Sequence, residues 1–130
     1  MSRTLFLIFN HEITPVQRDD AERSLGVEQL EDMPTPLKEL WQDIPPELRE
    51  IDPYLEPVKA WLEAKAKTGD YVLVQGDFGA CYLMVRFCFE KALVPVYSTT
   101  SREAEEGHLQ DGAISLNHVF RHRIFRRYGA

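Results

Sequence analysis

Cysteine is scarce in this chain: Cys81 and Cys88 are the only two in 130 residues. On a helix they would sit two turns apart, roughly 10 Å along the axis. That separation excludes a disulfide between them and leaves buried free thiols of a reducing compartment, the cytoplasm, as the expectation. Long apolar runs are missing as well. Nothing approaches the roughly 18 residues of a membrane span. The opening MSRTLFLIFN has a short apolar stretch and one Arg but no small-residue cleavage site, so it is not expected to be a signal peptide. Repeats and low-complexity linkers are absent, which points to one domain over residues 1–130. There is no tight cluster of carboxylates and histidines. His118 and His122 are four apart, yet they lack a third ligand and a helical setting, so neither a metal nor another cofactor is expected. Positive charge is the minority: 15 Lys and Arg stand against 21 Asp and Glu, a formal net charge of −6. An acidic surface argues against long duplex nucleic acid, whose affinity comes from many phosphate contacts. It leaves room for a small anion in a local basic pocket.

What is present reads as an ordinary globular composition, 44% hydrophobic and 28% charged. TLFLIF (4–9) is a continuous β-rich run, the pattern of a strand buried on both faces. Thr14-Pro15 supplies an N-cap and a first-turn proline, and Gln17 completes a Thr-x-x-Gln capping box. That helix should run to about Leu25 and stop at Gly26. VEQLEDM (27–33) is a weak second strand. Six prolines between residues 34 and 57 break the next stretch, leaving a short helix over PLKELWQDI and a longer one that begins near Pro53 or Pro57 and ends before Gly69-Asp70. YVLVQ (71–75) is a strand. Residues 78–92 are apolar nearly all round and long enough for a helix; such a helix must be covered on more than one side, so a homodimer is expected. LVPVYSTT (93–100) is a further strand. SREAEEGHLQDG reads as a loop or short helix, open to a lid role. AISLNHVF (113–120) reads as a final edge strand, open to antiparallel pairing.

Alternating strands and helices predict an α/β, Rossmann-like fold: a mostly parallel sheet with helices on both faces. In such sheets ligands bind beyond the carboxyl ends of the strands. Three clusters fall there. Asn10 and His11 follow the first strand. Gln75, Gly76, Asp77, Phe78 and Gly79 follow the third, at a strand-to-helix turn whose backbone N–H groups suit a phosphate. Asp77 would repel that phosphate unless it turns inward to cap the helix; a turn that binds nothing is the plainer alternative. Ser98, Thr99, Thr100, Ser101 and Arg102 follow the fourth, with hydroxyls and a guanidinium matched to phosphate oxygens. His11 suits proton transfer. The acidic span 28–63 is most simply a solvated surface, and Arg121, Arg123, Arg126 and Arg127 either a solvated face or a means of closing the pocket.

Several stretches together resemble a small family of Csx-type ancillary proteins of type III CRISPR systems. They are Asn10-His11 with Ile13-Thr14 and Gln17; Val74 to Ala80; Tyr97 to Glu103; and His122 with Phe125-Arg126-Arg127-Tyr128. The resemblance implies a stand-alone CARF-like domain and a ring nuclease that degrades cyclic oligoadenylate, chiefly cyclic tetra-adenylate, to switch the antiviral response off. The chemistry needs no metal, because the ribose 2′-OH can attack the adjacent phosphodiester once held in line, leaving 2′,3′-cyclic phosphate ends. Arg102 and the backbone N–H groups of 76–79 would stabilise the developing charge, and His11 would move the proton. Asn10, Gln75, Ser98, Thr99, Thr100 and Ser101 would contact the substrate. Two other readings stay open: a sponge or sensor that binds the ring without cutting it, and a protein-interaction adaptor docking through the acidic span.

Overall fold

The computed structural model describes residues 2–108, 112 and 114–130, and the side chains of these except at 104–108 and 114–118. Strand β1 (Thr4–Ile8) is buried from Leu5 onward, as an apolar run flanked on both sides demands. The Thr14–Gln17 capping box then starts helix α1 (Pro15–Asp20). Thr14 Oγ1 accepts from the Gln17 amide at 3.2 Å, and Gln17 Oε1 accepts from the Thr14 amide at 2.9 Å. From Ala21 to Leu25 the helix widens into a π turn, which Gly26 ends at φ 67°. Strand β2 (Gln29–Asp32), helix α2 (Thr35–Gln42), a 3₁₀ turn (Pro53–Leu55) and helix α3 (Glu56–Lys65) follow. Strand β3 (Tyr71–Val74) leads into α4 (Phe78–Glu90), and two long strands close the chain: β4 (Val94–His108) and β5 (Ile114–Arg127).

The sheet order is β2-β1-β3-β4-β5, parallel through β4 and antiparallel between β4 and β5. Helices cover both faces. Phe6, Ile8, Val72 and Val74 pack with Trp41, Val58, Leu62 and Met84 from α2, α3 and α4. Leu5, Leu7, Phe9, Leu73 and Val96 pack on the other face with Ala21 and Val27. Buried Asp70 ties the sheet's lower edge together, accepting from the Thr4 amide at 3.1 Å and the Lys67 amide at 2.9 Å. The α/β fold, the mostly parallel sheet and the antiparallel final edge agree with the reading of the sequence. No helix among the described residues is long and apolar enough to cross a membrane.

Two expectations need correction. Residues 101–108 are not loop or short helix but the outer half of β4. The edge strand does not end at 120; β5 continues to Arg127. After its pairing with β3 ends at Val96, β4 pairs only with β5, and the two leave the sheet as a ribbon. Among the described residues of this ribbon Thr100, Arg102, Glu103, Phe120 and Arg121 are exposed, so no alternation of apolar and polar residues marks it as strand and its sequence looks like loop. The proposed lid included 109–111, and its test lies outside the described residues, as does the side chain of His118.

Candidate functional site

Gln75 joins the strand ends at the top of the sheet. Its amide donates to the Ile8 carbonyl at 3.1 Å. Its own carbonyl accepts from the Trp41 indole at 2.8 Å. Its side-chain Oε1 accepts from the Ser98 amide at 2.6 Å, holding β4 just where the ladder to β3 has ended. Gly76 follows because nothing larger fits: a Cβ there would lie 2.7 Å from Trp41 Nε1. Asp77 turns inward and caps α4, accepting from the Ala80 amide at 3.0 Å.

This corner borders a cavity of about 470 Å³. Phe78, Cys81 and Tyr82 of α4, Tyr97 and Ser98 of β4, and Tyr128 after β5 form its wall with Gln75 and Gly76. Two of its tyrosines, Tyr97 and Tyr128, lie 4.9 Å apart between ring centroids. Arg126 places its guanidinium 5.5 Å above the Tyr97 ring and donates to the phenol oxygen at 2.9 Å. Arg86 lies 5.5 Å above the Tyr82 ring. Tyr128 donates its hydroxyl to the Val74 carbonyl at 2.6 Å. Burial, then the neighbouring Asp77 charge, pushes the Cys81 thiol up to about 11. Burial likewise pushes Tyr128 up to about 12. Both stay protonated at neutral pH, so neither offers an ionised nucleophile to the cavity.

On the α1 side of Ser98 the side chains form a continuous chain. Ser98 Oγ lies 2.5 Å from His122 Nδ1. His122 Nε2 lies 2.7 Å from Asp20 Oδ2. Ser24 donates to the other Asp20 oxygen at 2.5 Å, and Gln17 Nε2 donates to Ser98 Oγ at 3.4 Å. The His122 side chain is only 4% exposed, and its ring lies 4.6 Å from that of Phe125, tilted by 47°. Burial alone would raise the Asp20 carboxyl, but the hydrogen bonds from Ser24 and His122 and the nearby His122 and Arg23 charges outweigh it and hold the pKa below its usual 3.8. A second cavity, about 350 Å³, opens here between Thr14 and Gln17 of α1 and Thr100, Arg121, His122 and Arg123 of the ribbon.

Local irregularity sets this geometry. A register shift falls between Ser98 and Thr100: Ser98 faces Phe125, while Thr100 faces His122. Thr99 fills the gap with its hydroxyl, which accepts from the Ile124 amide at 3.1 Å and donates to the Ile124 carbonyl at 3.2 Å. Bulges of this kind re-aim side chains. The π turn begins just after Asp20, another common device at functional positions.

Of the residues expected from sequence, Gln75, Gly76, Phe78 and Ser98 meet at the first cavity, and Thr100 borders the second. Asp77 belongs to the adjoining turn, and Gly79, in the first turn of α4, borders a separate hollow of about 590 Å³ near Ile51. Ser101 Oγ is buried with no hydrogen-bond partner among the described residues. Asn10 and His11 are exposed beyond β1, and the His11 ring lies 6.2 Å from that of Phe9. Arg102 is exposed on the ribbon opposite Phe120. It lies four residues beyond Ser98, roughly 13 Å of strand. Neither His11 nor Arg102 borders either cavity. The convergence expected of all three strand ends is therefore partial, because β4 does not turn back at residue 100 but carries Arg102 outward. Sequence reading assigned no role to Asp20, Tyr82 or Arg86, and left His122 without a partner. Asp20 and His122 are 102 residues apart, and no local spacing signals their meeting.

A family model described as "Uncharacterized protein MJ1673 family" matches residues 3–126. The chain is similar to "Uncharacterized protein MJ1673" of Methanocaldococcus jannaschii, 48% identical over 124 residues that cover 95% of each chain. No solved structure matches.

Proposed function

The chain belongs to the MJ1673 family; on the geometry of its sheet end we propose that it is a metal-independent ring nuclease that opens cyclic oligoadenylate, chiefly cyclic tetra-adenylate, and so switches type III CRISPR signalling off. One observation carries the reading: an aromatic cavity at the strand ends has guanidiniums laid over two of its tyrosines. Tyrosine faces suit adenine stacking, worth about 1–3 kcal/mol per base. Arg86 and Arg126 add positive charge within reach of the intervening phosphates. A net acidic surface with local arginines suits a small polyanion better than a long duplex.

The cavity volume, about 470 Å³, accommodates part of a cyclic tetranucleotide rather than the whole. A ring with rotational symmetry is then shared between two copies of the chain, which makes the working form a homodimer in the cytoplasm. In the reaction a ribose 2′ oxygen attacks its neighbouring phosphorus, the bond to the 5′ oxygen breaks, and linear oligoadenylates with 2′,3′-cyclic phosphate ends result. His11 and Asn10 would touch the ring where it crosses the rim above β1, and Arg102 where it reaches the ribbon.

A binding-only module is the second reading, favoured by the placement of His11 and Arg102 outside both cavities. Incubating the protein with labelled rings of three to six adenylates, in EDTA and in magnesium, separates the two. Turnover in EDTA supports the nuclease. Tight binding with an intact ring supports the sponge, and absence of both overturns the nucleotide reading.

A further inference from the structure

We propose that Ser98, His122 and Asp20 form a proton relay in which the Ser98 hydroxyl is the catalytic group and the other two are positioning residues. Only the identity of the substrate rests on the nuclease reading. The contacts allow the tautomer that the relay needs. Asp20 accepts a proton-bearing nitrogen, so Nε2 of His122 carries the hydrogen and Nδ1 turns its lone pair to the Ser98 hydroxyl, 2.5 Å away. Asp20 cannot swing off, since Ser24 holds its second oxygen at 2.5 Å. Water competes little for an imidazole whose side chain is 4% exposed. Gln17 donates to Ser98 Oγ at 3.4 Å, and of the two acceptors near the hydroxyl hydrogen, His122 Nδ1 at 2.5 Å is much closer than the Thr99 carbonyl at 3.5 Å. Three separate elements, α1, β4 and β5, supply the parts. Ser98 contributes to the wall of the aromatic cavity, while its hydroxyl turns to the α1 side, where Gln17 and His122 border the second cavity.

This is the nucleophile–base–orienter arrangement that activates a hydroxyl. With a ring bound, the 2′-OH gives its proton to Ser98 Oγ as the Ser98 hydrogen passes to Nδ1. The 2′-oxygen–phosphorus bond forms and the 5′-oxygen–phosphorus bond breaks. The departing 5′ oxygen takes a proton from water, and the imidazolium returns its own to solvent. Asp20 stabilises the imidazolium throughout.

The test uses a probe that needs no ring. Diisopropyl fluorophosphate reacts with an activated serine: the oxygen–phosphorus bond forms, fluoride leaves, and the base takes the proton. Peptide mapping of the wild-type protein should find the adduct on Ser98. Asp20→Asn and His122→Gln, each first confirmed as folded by circular dichroism, should slow labelling by about tenfold and about a hundredfold, the range of a lost general base and its orienter. Ser98→Ala, a change small enough to leave the fold alone, should abolish it. In parallel, Ser98→Ala should cut cyclic tetra-adenylate turnover about a hundredfold while ring affinity stays within about threefold. An unlabelled Ser98 in the wild type, or equal labelling rates in the folded His122→Gln protein, overturns the relay. Labelling at Ser98 with no ring bound or cut leaves the relay standing and removes the nucleotide as its substrate.

Discussion

The Asp77 carboxylate accepts from the Ala80 amide at 3.0 Å, in the turn between Gly76 and Phe78, which both line the aromatic cavity. It stabilises α4 and repels an approaching phosphate at once. Asn caps a helix about as well as Asp does. Asp77→Asn should therefore keep the melting temperature while tightening cyclic tetra-adenylate binding about threefold to fivefold at low salt, the worth of one exposed unit charge near another. The gain should shrink in high salt, and isothermal titration at two ionic strengths would read both. Unchanged affinity would place the ring away from this turn. At this scale the sequence was informative wherever partners are local. Thr14, Gln17 and Gly26 showed their roles within a few residues of each other, and the structure has them capping and ending α1. Gly76 could be read only as a turn residue; its approach to Trp41 comes from a helix residue 35 positions earlier and has no local signature.

Among the elements, β4 is the one that composition disguised. Its first residues, Val94–Val96, sit in the parallel sheet and carry an apolar signal, whereas the remainder pairs only with β5. The register shift at Ser98/Thr100 is where one regime gives way to the other, and the Thr99 hydroxyl substitutes for the missing ladder bonds. Thr99→Val keeps the side-chain shape and removes both hydrogen bonds. It should cost about 1–2 kcal/mol, a fall of several degrees in melting temperature for a chain of this size. Turnover should fall with it even below the melting range, because Ser98 and His122 depend on that register for their contact. Calorimetry beside a rate assay checks the pairing of the two effects. A stable variant with full turnover would show that the shift is incidental. Helix α4 was legible as a helix from length alone, but not in its orientation, since its apolar residues mark no single face. The fold resolves it: Ala80, Met84, Phe87 and Cys88 face the core, while Phe78, Tyr82 and Phe89 stay exposed.

For the molecule as a whole, that exposed side of α4 bears on assembly. Phe78 is 95% exposed and Tyr82 is 62% exposed, and both border the aromatic cavity. A dimer formed across this rim would cover them and complete the space a cyclic tetranucleotide needs. Phe78→Asp should then turn a dimer into a monomer by light scattering at micromolar protein, with its secondary structure intact, and should weaken ring binding in parallel. A wild-type protein that is monomeric with the ring bound would defeat the shared site. The alternation of strands and helices gave away the class of fold and the end of the sheet to inspect. It could not show which strand outran the sheet, and that length is what separates Arg102 from the cavity while bringing His122 to Ser98. The central claim, that this sheet end cuts an RNA ring with the ring's own 2′-OH, is tested most directly by mass spectrometry of cyclic tetra-adenylate after incubation with the wild-type protein in EDTA. Linear adenylates ending in 2′,3′-cyclic phosphate with free 5′-hydroxyls are the predicted products; an unopened ring, or ends bearing 5′-phosphate, would contradict it.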